Sequence, residues 1–313
     1  MNGLRSLLLL LVVTILLAGA ALFVGPVANP SWAIIEEIRF PRVLLAIIVG
    51  SGLAGSGAVL QGVLRNPLAD PFILGTSSAA AAGVVFAGVL GFQHYSMLYF
   101  MAIGFALASI FGVYRIAQIN GKAPIQTIIL AGVIVGLFFN AAVFLSFSIF
   151  YRESFTMLFY LLGTLTEGSW QLIGISASII TSGLGLSWLF SRELNMLTQG
   201  EMAAFHLGVD VETAKKLLFV TASAMVAACV AVAGMIGFVG LIVPHMMRMI
   251  VGPDHRLLIP ASALGGAIFL ILADALARTV LPPLEIPVGA LTALLGSPYF
   301  IYLLRTRQRV GEF

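Results

Sequence analysis

The chain has 313 residues, of which 60% are apolar and only 9% charged, and its mean hydropathy is +1.08. Soluble domains carry about a quarter charged residues, so a soluble enzyme is excluded, as are disordered and coiled-coil chains, which need charge. A net charge of +3, from 16 basic and 13 acidic residues, is too small for a nucleic-acid binder.

Long unbroken apolar runs, without the ten-residue alternation of a β-barrel, predict an all-α integral membrane protein. Ten runs are legible: 4–24, 42–62, 71–91, 96–117, 124–149, 169–190, 214–235, 238–250, 258–279 and 287–304. Arg5 followed by Leu7–Leu17 resembles a signal peptide, but the apolar stretch continues to Val24, so it reads as an uncleaved first span. The eighth run is short and opens on Gly237 and Gly240, which predicts a broken or tilted element. With the N-terminus inside, only Arg39, Arg42, Arg152 and Arg278 fall outside, and the other twelve basic residues are cytoplasmic. Ten spans with both ends inside are consistent with that bias. The expected organisation is one transmembrane domain over 1–313, multi-pass in a bacterial cytoplasmic membrane and in contact with lipid. Loop 191–213 is its longest cytoplasmic connection. Within it Glu201-Met-Ala-Ala-Phe-His-Leu reads as a short helix ended by Gly208.

Chemistry-bearing patterns are few. No phosphate-binding G-x-x-x-x-G-K-[ST] occurs, the four histidines are scattered, and Cys229 has no partner for a disulfide. These observations predict no catalysis, no metal and no cofactor on this chain. The span centres are nearly free of charge, which disfavours an ion-coupled carrier, the alternative reading. Asp274 is the deepest charge, and Arg278 lies one turn on, positioned to pair with it. Two polar stretches stand out: Arg39-Phe-Pro-Arg42 outside, and Gln61–Gly75 inside, with its Asn66-Pro and Asp70-Pro turn signals. Gly132 and Gly136 form a GxxxG of the kind that lets helices approach closely.

The order R-F-P-R, G-A-V-L-Q-G-V-L-R-N-P-L-A-D-P-F-I-L-G (57–75), G-F-V-G-L-I-V-P-H-M-M-R (237–248), L-A-D-A-L-A-R (272–278) and E-I-P-V-G (285–289) closely resembles the FecCD-type permeases. These are subunits of ABC importers for iron-siderophores, haem and vitamin B12. The resemblance runs from about residue 37 to 305 and implies a type II ABC importer permease. It implies a second, often identical permease copy and a separate ATPase subunit that holds ATP-Mg. It also implies an extracytoplasmic binding protein. Residue by residue, it implies docking of the binding protein at Arg39, Arg42 and Arg278. It implies a cytoplasmic gate at Asn66, Leu68, Gln126 and Thr127, and ATPase coupling at Glu201, Ala203, Ala204, His206, Leu207 and Gly208. The substrate path is expected to be wide and weakly binding, lined by small residues such as Thr76, Ser77 and Ser78. The sequence does not choose among the three substrate classes.

Overall fold

The computed structural model describes residues 3–27, 30–92, 94–119, 121–149, 161–165, 169–282 and 284–310. Arg152 lies outside them, as do the side chains of Arg305, Arg307 and Arg309. The described residues are helical with no strand, and each of the ten apolar runs has its helix. In chain order these are α1 (Gly3–Ala21), α2 (Trp32–Val63), α3 (Thr76–Val89), α4 (Tyr95–Ala117), α5 (Ile125–Ile149) and α6 (Trp170–Leu189). The cytoplasmic connection holds α7 (Ser191–Thr198) and α8 (Glu201–His206), and α9 (Val211–Ala233), α10 (Val239–Val251), α11 (His255–Thr279) and α12 (Val288–Val310) follow.

Three boundaries differ from the hydropathy reading. α2 starts ten residues early, because Ser31 caps Ile34 N–H and a π-turn over Ile35–Arg39 carries the chain into the span. The third span starts at Thr76, not 71: Pro71–Leu74 is a separate 3₁₀ turn capped by Asp70, and Gly75 in the left-handed region (φ 74°) redirects the backbone. The 191–213 loop contains α7 in addition to the expected short helix.

Burial sorts the helices. The α2 span is 78% buried and the α9 span 72%, against 17% for α1 and 28% for α5. Small residues make α2 central. A Cβ on Gly50 would land on the Gly266 carbonyl of α11, and one on Gly57 on the Gly240 carbonyl of α10. Without side chains the backbones touch, and dispersion takes over where the hydrophobic effect is absent in lipid. The GxxxG of α5 packs against the Gly75 turn, where a Cβ would lie 2.8 Å from Gly132 O and Gly136 N.

Prolines inside helices free carbonyls that lipid cannot satisfy. Pro244 leaves Gly240 O without its helical donor, and Gln61 Nε2 of α2 donates to it at 3.4 Å and to Leu241 O at 3.2 Å. Arg248 donates to Gln61 Oε1 at 3.3 Å. Pro260 likewise frees Arg256 O, which Trp188 Nε1 reaches at 3.0 Å. Gln61→Leu is therefore expected to cost about 1–3 kcal/mol, the penalty of orphaned buried acceptors. Thermal unfolding in detergent checks this, and a wild-type midpoint would refute it.

Candidate functional site

On the outer side, the three arginines predicted to face a partner are buried, with 3–5% of their surface exposed. The π-turn and the following helical turn bring Arg39 and Arg42 inward on α2, and α11 brings Asp274 and Arg278 to meet them. Asp274, 1% exposed, accepts from Arg42 Nε at 2.7 Å and from Arg278 Nε at 3.0 Å. The predicted one-turn pair therefore forms, with a third member from α2. Arg42 also donates to Glu285 Oε2 at 2.7 Å. Arg278 donates to Val24 O and Ala21 O, and Arg39 to Leu22 O and Val27 O at 3.0 and 2.8 Å. Two guanidiniums thus hold the end of α1 and the chain that follows it. Carboxylates and carbonyls of the protein thus occupy these arginines inside the protomer.

On the inner side, Asn66 is exposed, and its side chain accepts from Leu68 N–H at 2.9 Å in an Asx turn. Arg65 ahead of it sits at φ 48°. Half-buried Asp70 accepts from Phe72 N–H at 2.8 Å; burial pushes its carboxyl above the usual range, and that hydrogen bond acts in the opposite sense. Gln126 is exposed and Thr127 half-buried in the first turn of α5. Gly75 packs on Gly132 and Gly136 of α5; among the described residues no hydrogen bond joins Asn66 or Leu68 to Gln126 or Thr127. Thr76, Ser77 and Ser78 are buried inside the protomer, so they do not line an open surface of this chain as expected.

Six residues form α8, and Gly208 follows at φ 85°, the left-handed position a terminating glycine takes. The helix presents Met202, Phe205 and Leu207 to solvent at 71, 65 and 63% exposure, while Ala204 is fully buried beneath them. His206 and Gly208 are exposed, and Glu201 and Ala203 half-buried. An apolar face on a polar cytoplasmic loop is a surface awaiting cover. Asp210 caps α9 by accepting from Thr213 N–H and Oγ1–H, which hold its carboxyl below the ordinary range.

Sequence reasoning missed Lys215. It is 2% exposed at the start of α9, with Nζ 2.7 Å from Glu212 and 3.1 Å from Glu201. The spacing from Glu212 was readable, but the approach of α8 was not. Glu285 was quoted within a motif, but its role as a partner of Arg42 comes from the fold.

The FecCD transport family profile matches residues 6–306. The cobalamin import system permease BtuC of Halobacterium salinarum is 44% identical over 282 residues, covering 90% of this chain and 76% of that protein. The hemin transport system permease HmuU of Yersinia pestis is 41% identical over 283 residues, covering 89% and 84%. A solved metal-chelate-type ABC transporter in an inward-facing conformation superposes with a TM-score of 0.89 at 32% identity, covering 97% of this chain and 99% of that one. With ten apolar helices among the described residues and a profile match along nearly its whole length, the chain belongs to the FecCD transport family of membrane permeases.

Proposed function

We propose that this chain acts as one transmembrane unit and forms, with a second copy of itself, the path of an ABC importer for an iron chelate, haem or a corrinoid. The observation that carries the reading is the family match along the chain, and the apolar face of α8 supports it. A separate ATPase subunit docks on α8 and supplies the energy from ATP-Mg. Iron-siderophore is the first substrate class to test, with haem and corrinoid next, since relatives named for cobalamin and for hemin are nearly equally similar. The exposed apolar face of α5, including Leu130, Ile134 and Leu137, suits lipid or the second copy.

Outside, a substrate-binding protein docks over the arginine cluster. Three arginines against Asp274 and Glu285 leave one positive charge in excess. Among the described residues Arg39 has no carboxylate partner; it is 3% exposed and donates to Leu22 O and Val27 O, so an acidic partner reaches it only by displacing those bonds. The cytoplasmic gate at Asn66, Leu68, Gln126 and Thr127 belongs to the same reading.

The test is mild-detergent purification followed by reconstitution with the ATPase inside liposomes and the binding protein outside. A two-to-two complex that accumulates substrate only with ATP is expected. Transport by the lone chain down an ion gradient would establish the secondary carrier instead. Leu207→Glu is expected to weaken ATPase binding by about 2 kcal/mol, roughly thirtyfold in Kd, because it charges an exposed apolar contact. Its thermal midpoint should stay at the wild-type value. A charge at Ala204 is not equivalent, since that methyl is fully buried and the fold itself would be damaged.

A further inference from the structure

Neither the count of spans nor their orientation explains why a lysine is buried at the start of α9. Its ammonium has three N–H donors, and three acceptors surround it: Glu201 Oε1 at 3.1 Å, Glu212 Oε1 at 2.7 Å and the Ala123 carbonyl at 3.2 Å. Glu212 Oε2 in turn accepts from Ala123 N–H at 3.3 Å and from the Tyr114 hydroxyl of α4 at 3.4 Å. One ion cluster, its lysine buried and its two carboxylates about a third exposed, therefore ties α8, α9 and α4 to the tight turn that joins α4 to α5. That turn is itself closed by paired backbone hydrogen bonds between Ile119 and Lys122, at 2.8 and 3.0 Å. Ala123 is followed by Pro124, whose ring fixes φ, and then by the first turn of α5 with Gln126 and Thr127.

A buried ion pair is weak evidence for stability, because desolvation offsets much of the attraction; its best-attested use is to fix which elements sit together and in what register. Apolar packing would let α8 slide over α9 and the turn, whereas three directed bonds from one ammonium do not. We propose that Lys215 is a positioning residue for energy coupling. It makes α8 and the 119–123 turn one rigid body, so that displacement of α8 is handed through Ala123 and Pro124 to the start of α5. The proposal rests on the reading of α8 as the ATPase-docking helix.

The experiment uses the assembled transporter, with spin labels on Lys122→Cys and Gln199→Cys, two exposed positions on either side of the cluster. The native Cys229 is buried and does not compete for label. The expected result is a label-to-label distance within each copy that is the same without nucleotide and with ATP. In Lys215→Gln the distance becomes nucleotide-dependent, and transport per ATP hydrolysed falls by about tenfold while ATPase binding is kept. Lys215→Arg retains most of the ratio. A distance that shifts with nucleotide in the wild-type background overturns the proposal, and needs no variant of Lys215 that might misfold. An unchanged transport-to-hydrolysis ratio in Lys215→Gln overturns it as well. Crosslinking from Met202→Cys separates the two layers. No crosslink to the ATPase overturns the docking reading and the proposal with it, whereas a crosslink together with a shifting distance overturns the proposal alone.

Discussion

Gly57→Val is expected to prevent the permease from folding to a monodisperse state. The valine Cβ would fall on the Gly240 carbonyl, with Gly240 C at 2.6 Å and Cα at 2.8 Å behind it. These are backbone atoms, so no rotamer relieves the clash. The contact is close from both sides, since a Cβ on Gly240 would itself stand 2.7 Å from Pro71 Cγ and 2.8 Å from the Leu53 carbonyl of α2. Separating the helices would also break the Gln61 bonds to Gly240 and Leu241 one turn away. Overpacking costs about 1–3 kcal/mol and occasionally more; here the two losses add, and about 3 kcal/mol or more is expected. Against a total stability of roughly 5–15 kcal/mol, that is visible as a lost size-exclusion peak or a collapsed thermal midpoint. Gly104→Val is the control, since nothing lies within 4 Å of a Cβ there. Equal behaviour of the two variants would show that the α2–α10 contact is looser than described.

Asp274→Asn is expected to destabilise the protein by about 3–5 kcal/mol, the usual cost of removing one partner from a buried ion cluster. The carboxylate is 1% exposed and neutralises Arg42 and Arg278 together. Without it two buried guanidiniums are left with Glu285, which is 38% exposed and, among the described residues, pairs with Arg42 alone. The damage should reach α1, because Arg278 also holds the Ala21 and Val24 carbonyls. Glu285→Gln is expected to cost about 1 kcal/mol or less, since solvent screens a half-exposed pair. Paired thermal unfolding of the two variants decides the matter, and similar midpoints would refute a buried anchor. The same comparison bears on docking. Reversing all three arginines together would disturb the fold before it tested a partner.

The ten spans, the short α10, the terminating Gly208 and the Asp274–Arg278 pair were legible because each depends on residues close in sequence. Hydropathy sums over one segment, a helix-ending glycine acts on its own turn, and a one-turn pair shares a helix face. The start of the third span was not legible, because Pro71–Leu74 is as apolar as the helix it precedes and only the φ of Gly75 separates them. The burial of Arg39, Arg42 and Arg278 was not legible for a different reason. A polar residue near a span end reads as solvated unless its partner is known, and Arg42 and Asp274 stand 232 positions apart. Their meeting depends on how closely α2 and α11 cross, which Gly50 and Gly266 set by letting the backbones touch. Lys215 is the same case on the inner side. The sequence by itself determined that this chain crosses a membrane and which family it resembles. Which charges distant in the chain meet, Arg42 with Asp274 and Lys215 with Glu201, and hence which elements are tied together, was decided only by the tertiary structure, because beyond one helical turn a charge finds its partner through helix packing and not through its neighbours along the chain.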